Sequence, residues 1–364
     1  MNFPMTPLVI LMRGSLSSPS LRVTTALIMG LCLLLALLPG VGDAAPRFKA
    51  GDPPYLEREE VQRFIQEQVD EGFDEDELRA LFADTDGLQR VLDLISAPAE
   101  ARPWKDYRPI FLTRQRIEAG VRFWEEHEST LLRAQERFRV NPDIIVAIIG
   151  VETFYGRHAG GFPVFDALVT LGFDYPPRAD FFRSELAHYL RLVREEGLDL
   201  RGTKGSYAGA MGRGQFISSS YREYAVDFSG DGRRDLLNSW PDAIGSVANY
   251  FRRHGWSMGD PVVVRAQVEG DDYKALVSRP YRARHSLDDL AEKGVKPVSS
   301  VDPDARFSVI ELEAEEGTQV WLGYENFYVI TRYNRSPLYA MAVYELAREI
   351  REAREAELRR GDGS

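Results

Sequence analysis

A chain of 364 residues with 44% apolar residues has room for two or three modest domains and can bury a substantial core. Its 45 Lys and Arg are outnumbered by 56 Asp and Glu, for a formal net charge of -11. With no basic block to offset that charge, a nucleic-acid backbone is excluded as a partner.

The first 45 residues differ in kind from the rest. Arg13 and Arg22 precede an apolar run over 26–38, followed by Pro39-Gly40 and the small residues Gly42 to Ala45. This pattern predicts a secretory signal peptide over 1–45. A permanent membrane anchor is the alternative, although the run is short of the about 20 residues that span a bilayer. Cys32, the only cysteine, lies inside the run, so the mature chain would use no disulfide, thiolate nucleophile or Cys-ligated metal. The residues before Cys32 do not form a lipoprotein cleavage box.

From Tyr55 to Leu94 the apolar positions Phe64, Val69, Leu78, Leu81, Phe82, Leu88, Val91 and Leu92 recur at helical spacing. After a Pro- and Ala-containing stretch at 97–103, one further helix is predicted over 113–138. These helices make an N-terminal α region over 46–135.

The segment 141–156 is the most informative in the chain. Asn141 is suited to cap a helix, Pro142 to its first position, Asp143 to its positive end, and Gly156 to its stop. Ile144 to Val151 leave no polar stripe, so the helix should be buried nearly all round. Glu152 then sits in apolar surroundings at the negative helix end, where its carboxyl should have a raised pKa and could serve as a general acid. The alternative is a structural acid paired with an Arg or capping a loop.

Helices are predicted over 163–171 and 179–196, and a Gly-rich segment over 205–216 contains Ser206 and Gln215. Its glycines permit close backbone approach, and the hydroxyl and amide offer neutral hydrogen bonds to sugar substituents. A tight turn between helices is the plainer reading, and the pattern required of a phosphate loop is missing. In the stretch 227–235, Asp227, Ser229 and Asp231 alternate, with Gly232 sixth, as in an EF-hand loop. The twelfth position is Asn238 rather than Glu, so Asp242 would have to close a longer loop, with Arg233 ligating through its carbonyl. An Asp-Gly turn without metal is the alternative.

A small β-rich unit is predicted over 261–325 from Val262 to Val264, the alternation at 307–313 and the pair 320–322. The chain returns to the core over 326–358, with a helix from Pro337 to Leu358 that turns Tyr339, Met341, Ala342, Val343, Leu346 and Ile350 inward, and a disordered tail over 359–364. Tyr333, Asn334 and Tyr339 concentrate aromatic and amide groups just before that helix; they suit sugar stacking, or else a core tyrosine cluster. No HExxH and no GxSxG occurs, which removes support for a zinc peptidase or a serine hydrolase.

The motifs at 151–156, 208–216, 227–232, 243–251 and 326–334 together resemble the lytic murein transglycosylase B family, across 105–350 and in consistent order. The resemblance implies an α+β, mainly α fold: a lysozyme-like α core over 136–260, an additional α domain and the β-rich insertion. It implies export to the periplasm and cleavage of the MurNAc–GlcNAc β-1,4 bond of peptidoglycan, leaving 1,6-anhydromuramoyl ends. Carried over to this sequence, Glu152 is the acid/base. Ser206, Gln215, Tyr250, Tyr333, Asn334, Tyr339 and Tyr107 line the glycan cleft, and Asp227, Ser229, Asp231, Arg233 and Asp242 hold a structural Ca2+. Arg178 follows Pro177 where some members carry two arginines for the peptide stem. The implied partners are glycan strands and cell-wall synthesis or division proteins, with the chain a monomer.

Glycosidases usually need two carboxylates, and Asp166, Asp174 and Glu185 are the nearest nominees for a second. If Glu152 acts alone, it protonates the leaving oxygen and then deprotonates the muramoyl 6-hydroxyl, with a dry apolar wall keeping water from C1. A hydrolytic muramidase and a non-catalytic peptidoglycan-binding scaffold are the alternatives.

Overall fold

The computed structural model describes residues 53–96 and 102–361; the signal-peptide expectation lies outside them. The first three helices, α1 (Glu59–Asp70), α2 (Glu75–Ala83) and α3 (Gln89–Ser96), turn their predicted apolar positions inward; Val61, Phe64, Ile65, Leu78, Phe82 and Val91 are buried. Edge-to-face contacts of Phe64 and Phe82 with Phe173 join this layer to the core. Next come α4 (Trp104–Phe111), α5 (Arg114–Glu126), α6 (Glu128–Phe138) and α7 (Pro142–Thr153).

The single helix expected over 113–138 is two. His127 ends α5 and precedes α6 with φ -114° and ψ 19°, off the helical path, while its ring packs on Phe123 at 4.5 Å and Trp240 at 5.3 Å. The following Glu128-Ser129-Thr130 is a composition that favours a new helical start. Periodicity missed the break because apolar spacing continues through it.

α7 is the centre of the molecule, in contact with α5, α6, α11 (Trp240–Arg253) and α14 (Pro337–Gly361). Every residue from Pro142 to Val151 is buried, as its all-round apolar sequence predicts. Its N-terminus departs from expectation. Asn141 makes no capping bond; its side-chain oxygen instead accepts from the Trp256 indole at 3.0 Å, and Asp143 accepts from the Ile144 amide at 3.0 Å. Competition from a buried indole donor overrides the local preference.

The chain continues through β1 (Phe162–Pro163), α8 (Val164–Asp174), α9 (Ala179–Glu196), β2 (Lys204–Gly205) and α10 (Ser218–Tyr224), with β1 and β2 antiparallel. Beyond α11, β3 (Val263–Val268), β4 (Val295–Pro297), β5 (Ser308–Ala314) and β6 (Gly317–Gly323) build an antiparallel sheet in the order β4-β3-β6-β5, with α12 (Leu287–Glu292) between β3 and β4 in the chain. One face of β5, with Ile310 and Leu312, joins the main core. On the other, Phe307 and Val309 pack with Leu290, Val295 and Leu322 in a separate small core. α13 (Glu325–Tyr333) leads back to α14, whose predicted inward set is fully buried. α14 runs to Gly361, three residues past the predicted end, so residues 359–361 are helical where a disordered tail was expected.

Candidate active site

Glu152 is the penultimate residue of α7, and the chain leaves the helix in an unusual way. Phe154, Tyr155 and Gly156 take positive φ of 49°, 59° and 81° in succession. Left-handed backbone costs about 1 kcal/mol or more at each non-glycine residue, so neighbours must hold it. Tyr155 donates to the Arg116 carbonyl at 3.1 Å, in a slot that Gly120 and Gly150 leave open: a Cβ on either would fall within 2.6 Å of the phenol oxygen. Phe154 lies between the Arg116 and Arg157 guanidiniums, each 4.8 Å from its ring. Thr153 Oγ1 accepts from the Gly156 amide at 2.9 Å and donates to the Arg213 carbonyl at 3.0 Å, tying the helix end to the Gly-rich loop.

Tyr339, in the first turn of α14, donates to Glu152 Oε1 at 2.5 Å. Part of the Glu152 side chain reaches solvent, while protein crowds the carboxyl from its other sides. That crowding strips its hydration and pushes its pKa up to about 8, against the smaller lowering effect of the Tyr339 hydroxyl. The raised pKa expected from the sequence is therefore present. The sequence missed its partner, since nothing in a one-dimensional reading pairs residues 152 and 339.

Tyr107, Tyr333 and Tyr339 surround the carboxyl: burial raises the pKa of each phenol first, and the charge of Glu152 adds to it. Tyr333 donates to the Gly214 carbonyl at 2.6 Å, and Tyr250 to the Arg332 carbonyl at 2.5 Å, their rings 4.8 Å apart. Asn334 spends its side-chain oxygen on the Ser336 amide at 3.1 Å, shaping the entry to α14. Ser206 is also turned to local use, its Oγ accepting from Ala208 and Ala210 amides at 3.3 and 3.1 Å. Gln215, at φ 51°, donates its amide nitrogen to the carbonyls of Ala159 and Gly212, both at 3.0 Å.

Arg178 does not join this group. Its guanidinium sits 4.3 Å from the Phe181 ring and 5.3 Å from that of Phe182. Nor do the nominated second acids. Asp166 pairs with Arg201 at 2.9 Å, Asp174 with Tyr55 and with Arg58 at 2.5 Å, and Glu185 accepts from the Ser219 amide and hydroxyl at 2.9 and 2.7 Å. Thr153 and Tyr155 were overlooked in the sequence; their hydroxyls directly following Glu152 were the available signal.

The loop at 227–242 brings carboxylate oxygens of Asp227, Asp231 and Asp242 within 4.8 Å of one another. Asp242 is fully buried, accepting from the Phe228 and Ser229 amides at 2.8 and 2.7 Å and from the Asp235 amide at 3.0 Å. Asp227 accepts from the Gly230 and Gly232 amides, which hold its pKa below the usual carboxylate value. Three carboxylates, with the Ser229 hydroxyl 3.2 Å from Asp227, form an all-oxygen donor set, which fits a hard cation of the calcium type. Leu236, in the same loop, accepts through its carbonyl from the Arg213 amide at 2.9 Å and so supports the Gly-rich loop under Glu152.

Comparison with known proteins agrees with this geometry. The Transglycosylase SLT domain family matches residues 56–348. The membrane-bound lytic murein transglycosylase B of Escherichia coli (strain K12) is 42% identical over 307 residues, covering 81% of this chain and 83% of that protein. A catenated lytic transglycosylase from Pseudomonas aeruginosa superposes with a TM-score of 0.79 at 48% identity, over 82% of this chain and 99% of the other. An Escherichia coli lytic transglycosylase solved in complex with calcium gives 0.75 at 41% identity, over 85% of this chain and 96% of that one. With a mainly helical fold built around α7 and a match running from just before α1 into α14, the chain belongs to the lytic murein transglycosylases of the Transglycosylase SLT domain family.

Proposed function

We propose that this enzyme cleaves the β-1,4 bond between N-acetylmuramic acid and N-acetylglucosamine in peptidoglycan, leaving a 1,6-anhydromuramoyl end, with Glu152 acting first as acid and then as base. The observation that carries the reading is one raised-pKa carboxyl, hydrogen-bonded to Tyr339 and surrounded by phenols, while every nominated second acid is engaged elsewhere.

The steps follow from that constellation. Below pH about 8 the carboxyl is protonated; since Tyr339 donates to Oε1, Oε2 carries the proton. Oε2 delivers it to the glycosidic oxygen as the C1–O bond breaks, releasing the N-acetylglucosamine 4-hydroxyl. The muramoyl 6-hydroxyl attacks C1 and gives its proton to the carboxylate, which restores the starting state without consuming water. Tyr339 stabilises the transient carboxylate, a charge-assisted bond of about 1.5–3 kcal/mol. Tyr107, Tyr250, Tyr333, Asn334, Ser206 and Gln215 form the cleft wall in this reading. Ser206 and Gln215 chiefly hold its backbone, as their bonds to main-chain groups support.

Mass spectrometry of glycan digests is the test. Products lighter than hydrolysed ones by one water support the proposal; reducing ends identify a muramidase, and an absence of products a non-catalytic binder.

The loop Asp227, Ser229, Asp231, Arg233 (through its carbonyl) and Asp242 would hold Ca2+, which would neutralise the three carboxylates and pin the support beneath the Gly-rich loop. We place the enzyme's work in the periplasm, where its substrate lies. No described helix is long and apolar enough to cross a membrane.

A further inference from the structure

The turn after Glu152 is held at Tyr155 by the slot that Gly120 and Gly150 leave, and at Phe154 by two guanidiniums. Its exit, Gly156, rests on a further support that the proposed reaction does not use. Gly156 has φ 81°, and a Cβ there would lie 2.9 and 3.0 Å from Cη2 and Cζ2 of Trp240 and 3.9 Å from Arg213 Nε. The indole ring therefore fills the space that a side chain at 156 would need.

Trp240 is the first residue of α11 and is half-buried, so its ring adds little to the core of that helix. It is nonetheless fixed from more than one side. The Arg213 guanidinium lies 3.9 Å from the ring, a cation stacked on an indole face, and Phe123 meets it edge-on at 4.8 Å and 71°. Phe123 in turn stacks on Tyr155 at 5.4 Å and 30°. Trp240 thus reaches the turn directly at Gly156 and, through Phe123, at Tyr155. Arg213 reaches it at Thr153, whose hydroxyl donates to the Arg213 carbonyl at 3.0 Å. Both residues are rooted in the acidic loop: the Arg213 guanidinium donates to the Asn238 carbonyl at 2.6 Å, its amide to the Leu236 carbonyl at 2.9 Å, and Ser239 caps α11 by accepting from the Asp242 amide at 3.2 Å.

We infer that Trp240, with Arg213 stacked on it, is a positioning residue for Glu152: the pair clamps the turn over 153–156 and so fixes where the carboxyl sits relative to the bond being cut. The clamp acts through the backbone of the turn rather than through the sugar. A general acid must lie within hydrogen-bond reach of the leaving oxygen, and a misplacement of about 1 Å can cost about 10²-fold in rate. The inference rests on the role proposed above for Glu152 and adds what holds that residue on target.

The test measures anhydro products from glycan strands, well below the melting temperature of each variant. Trp240→Leu and Arg213→Met are each expected to lower kcat about tenfold with KM unchanged within a factor of two. Because each removes the same clamp, the double variant should lose about as much as either single, not the roughly hundredfold of independent effects. In all three the alkaline limb of kcat/KM should move to lower pH, since a loosened turn admits water to a carboxyl whose pKa burial holds up. Should Trp240→Leu fail to fold, Arg213→Met carries the test. Leu290→Ala loosens the separate small core of the β-rich unit and controls for lost stability: it should lower the melting temperature and leave kcat and the limb in place. Full kcat in Arg213→Met, additive losses in the double variant, an unmoved limb, or an equal loss of kcat in Leu290→Ala overturns the inference while wild type still yields anhydro products. Absence of anhydro products from wild type overturns the functional reading, and the inference with it.

Discussion

At the scale of single residues, the proposed reaction depends on how far Glu152 is held from its ordinary ionisation. Replacing it by Gln is expected to cost about 10³-fold or more in formation of anhydro products, as loss of a general acid does, measured by mass spectrometry at pH 6. The same change should stabilise the fold at alkaline pH. Folded Glu152 binds its proton more tightly than the unfolded chain, so wild-type stability falls as pH rises from the ordinary 4.5 through about 8. Melting curves at pH 5 and pH 9 should therefore show Glu152→Gln gaining on the order of 1–3 kcal/mol at the higher pH relative to the lower, discounted because water reaches part of the side chain.

Tyr339→Phe separates the two roles of the phenol. Its hydroxyl favours the carboxylate, so removing it raises the Glu152 pKa, and the alkaline limb of kcat/KM against pH should move upward. At the same time kcat at pH 6 should fall about tenfold to a hundredfold, for want of the bond that steadies the carboxylate. An alkaline limb that stays in place or moves down would remove Tyr339 from this role.

At the scale of elements, the ending of α7 was harder to read than its beginning or middle. The buried run, Pro142 at the first position and the acid near the C-terminus were plain in the sequence, because composition alone determines whether a helix can face water. The three left-handed residues after Thr153 were not, since two of them are aromatic and neither type favours that conformation. They are affordable only because α5 and α7 present glycines that admit the Tyr155 ring. Gly150→Ala places a methyl within 2.6 Å of the phenol oxygen and should destabilise by about 1–3 kcal/mol in urea titration. It should also lower kcat by disturbing the turn that carries Glu152. The division of α5 from α6 at His127 and the use of Asn141 as partner to Trp256 were hidden for a related reason: each is decided by an aromatic ring brought from α11 or from the segment after it.

At the scale of the whole molecule, the loop at 227–242 and α7 are joined through Leu236, Arg213 and Thr153. Added calcium should raise the melting temperature, by about 2.7 kcal/mol in stability at a hundredfold excess over its dissociation constant, and Asp231→Ala should abolish that gain. Asp242→Ala should destabilise the protein even in chelator, because its buried carboxylate accepts three backbone amides without any metal.

The sequence alone determined that an apolar helix ends in a lone carboxyl, that a Gly-rich loop, an acidic loop and a tyrosine-rich segment accompany it, and that a β-rich unit interrupts the helices. Those features follow from local composition and spacing, which act over a few residues. Only the tertiary structure decided that Tyr339 bonds Glu152 across 187 positions and that Asp166, Asp174 and Glu185 are spent on structural partners. It likewise turned Ser206 and Asn334 to holding backbone. Which hydrogen bonds a polar group makes depends on what packing brings within 3 Å of it, and packing is a property of the whole chain.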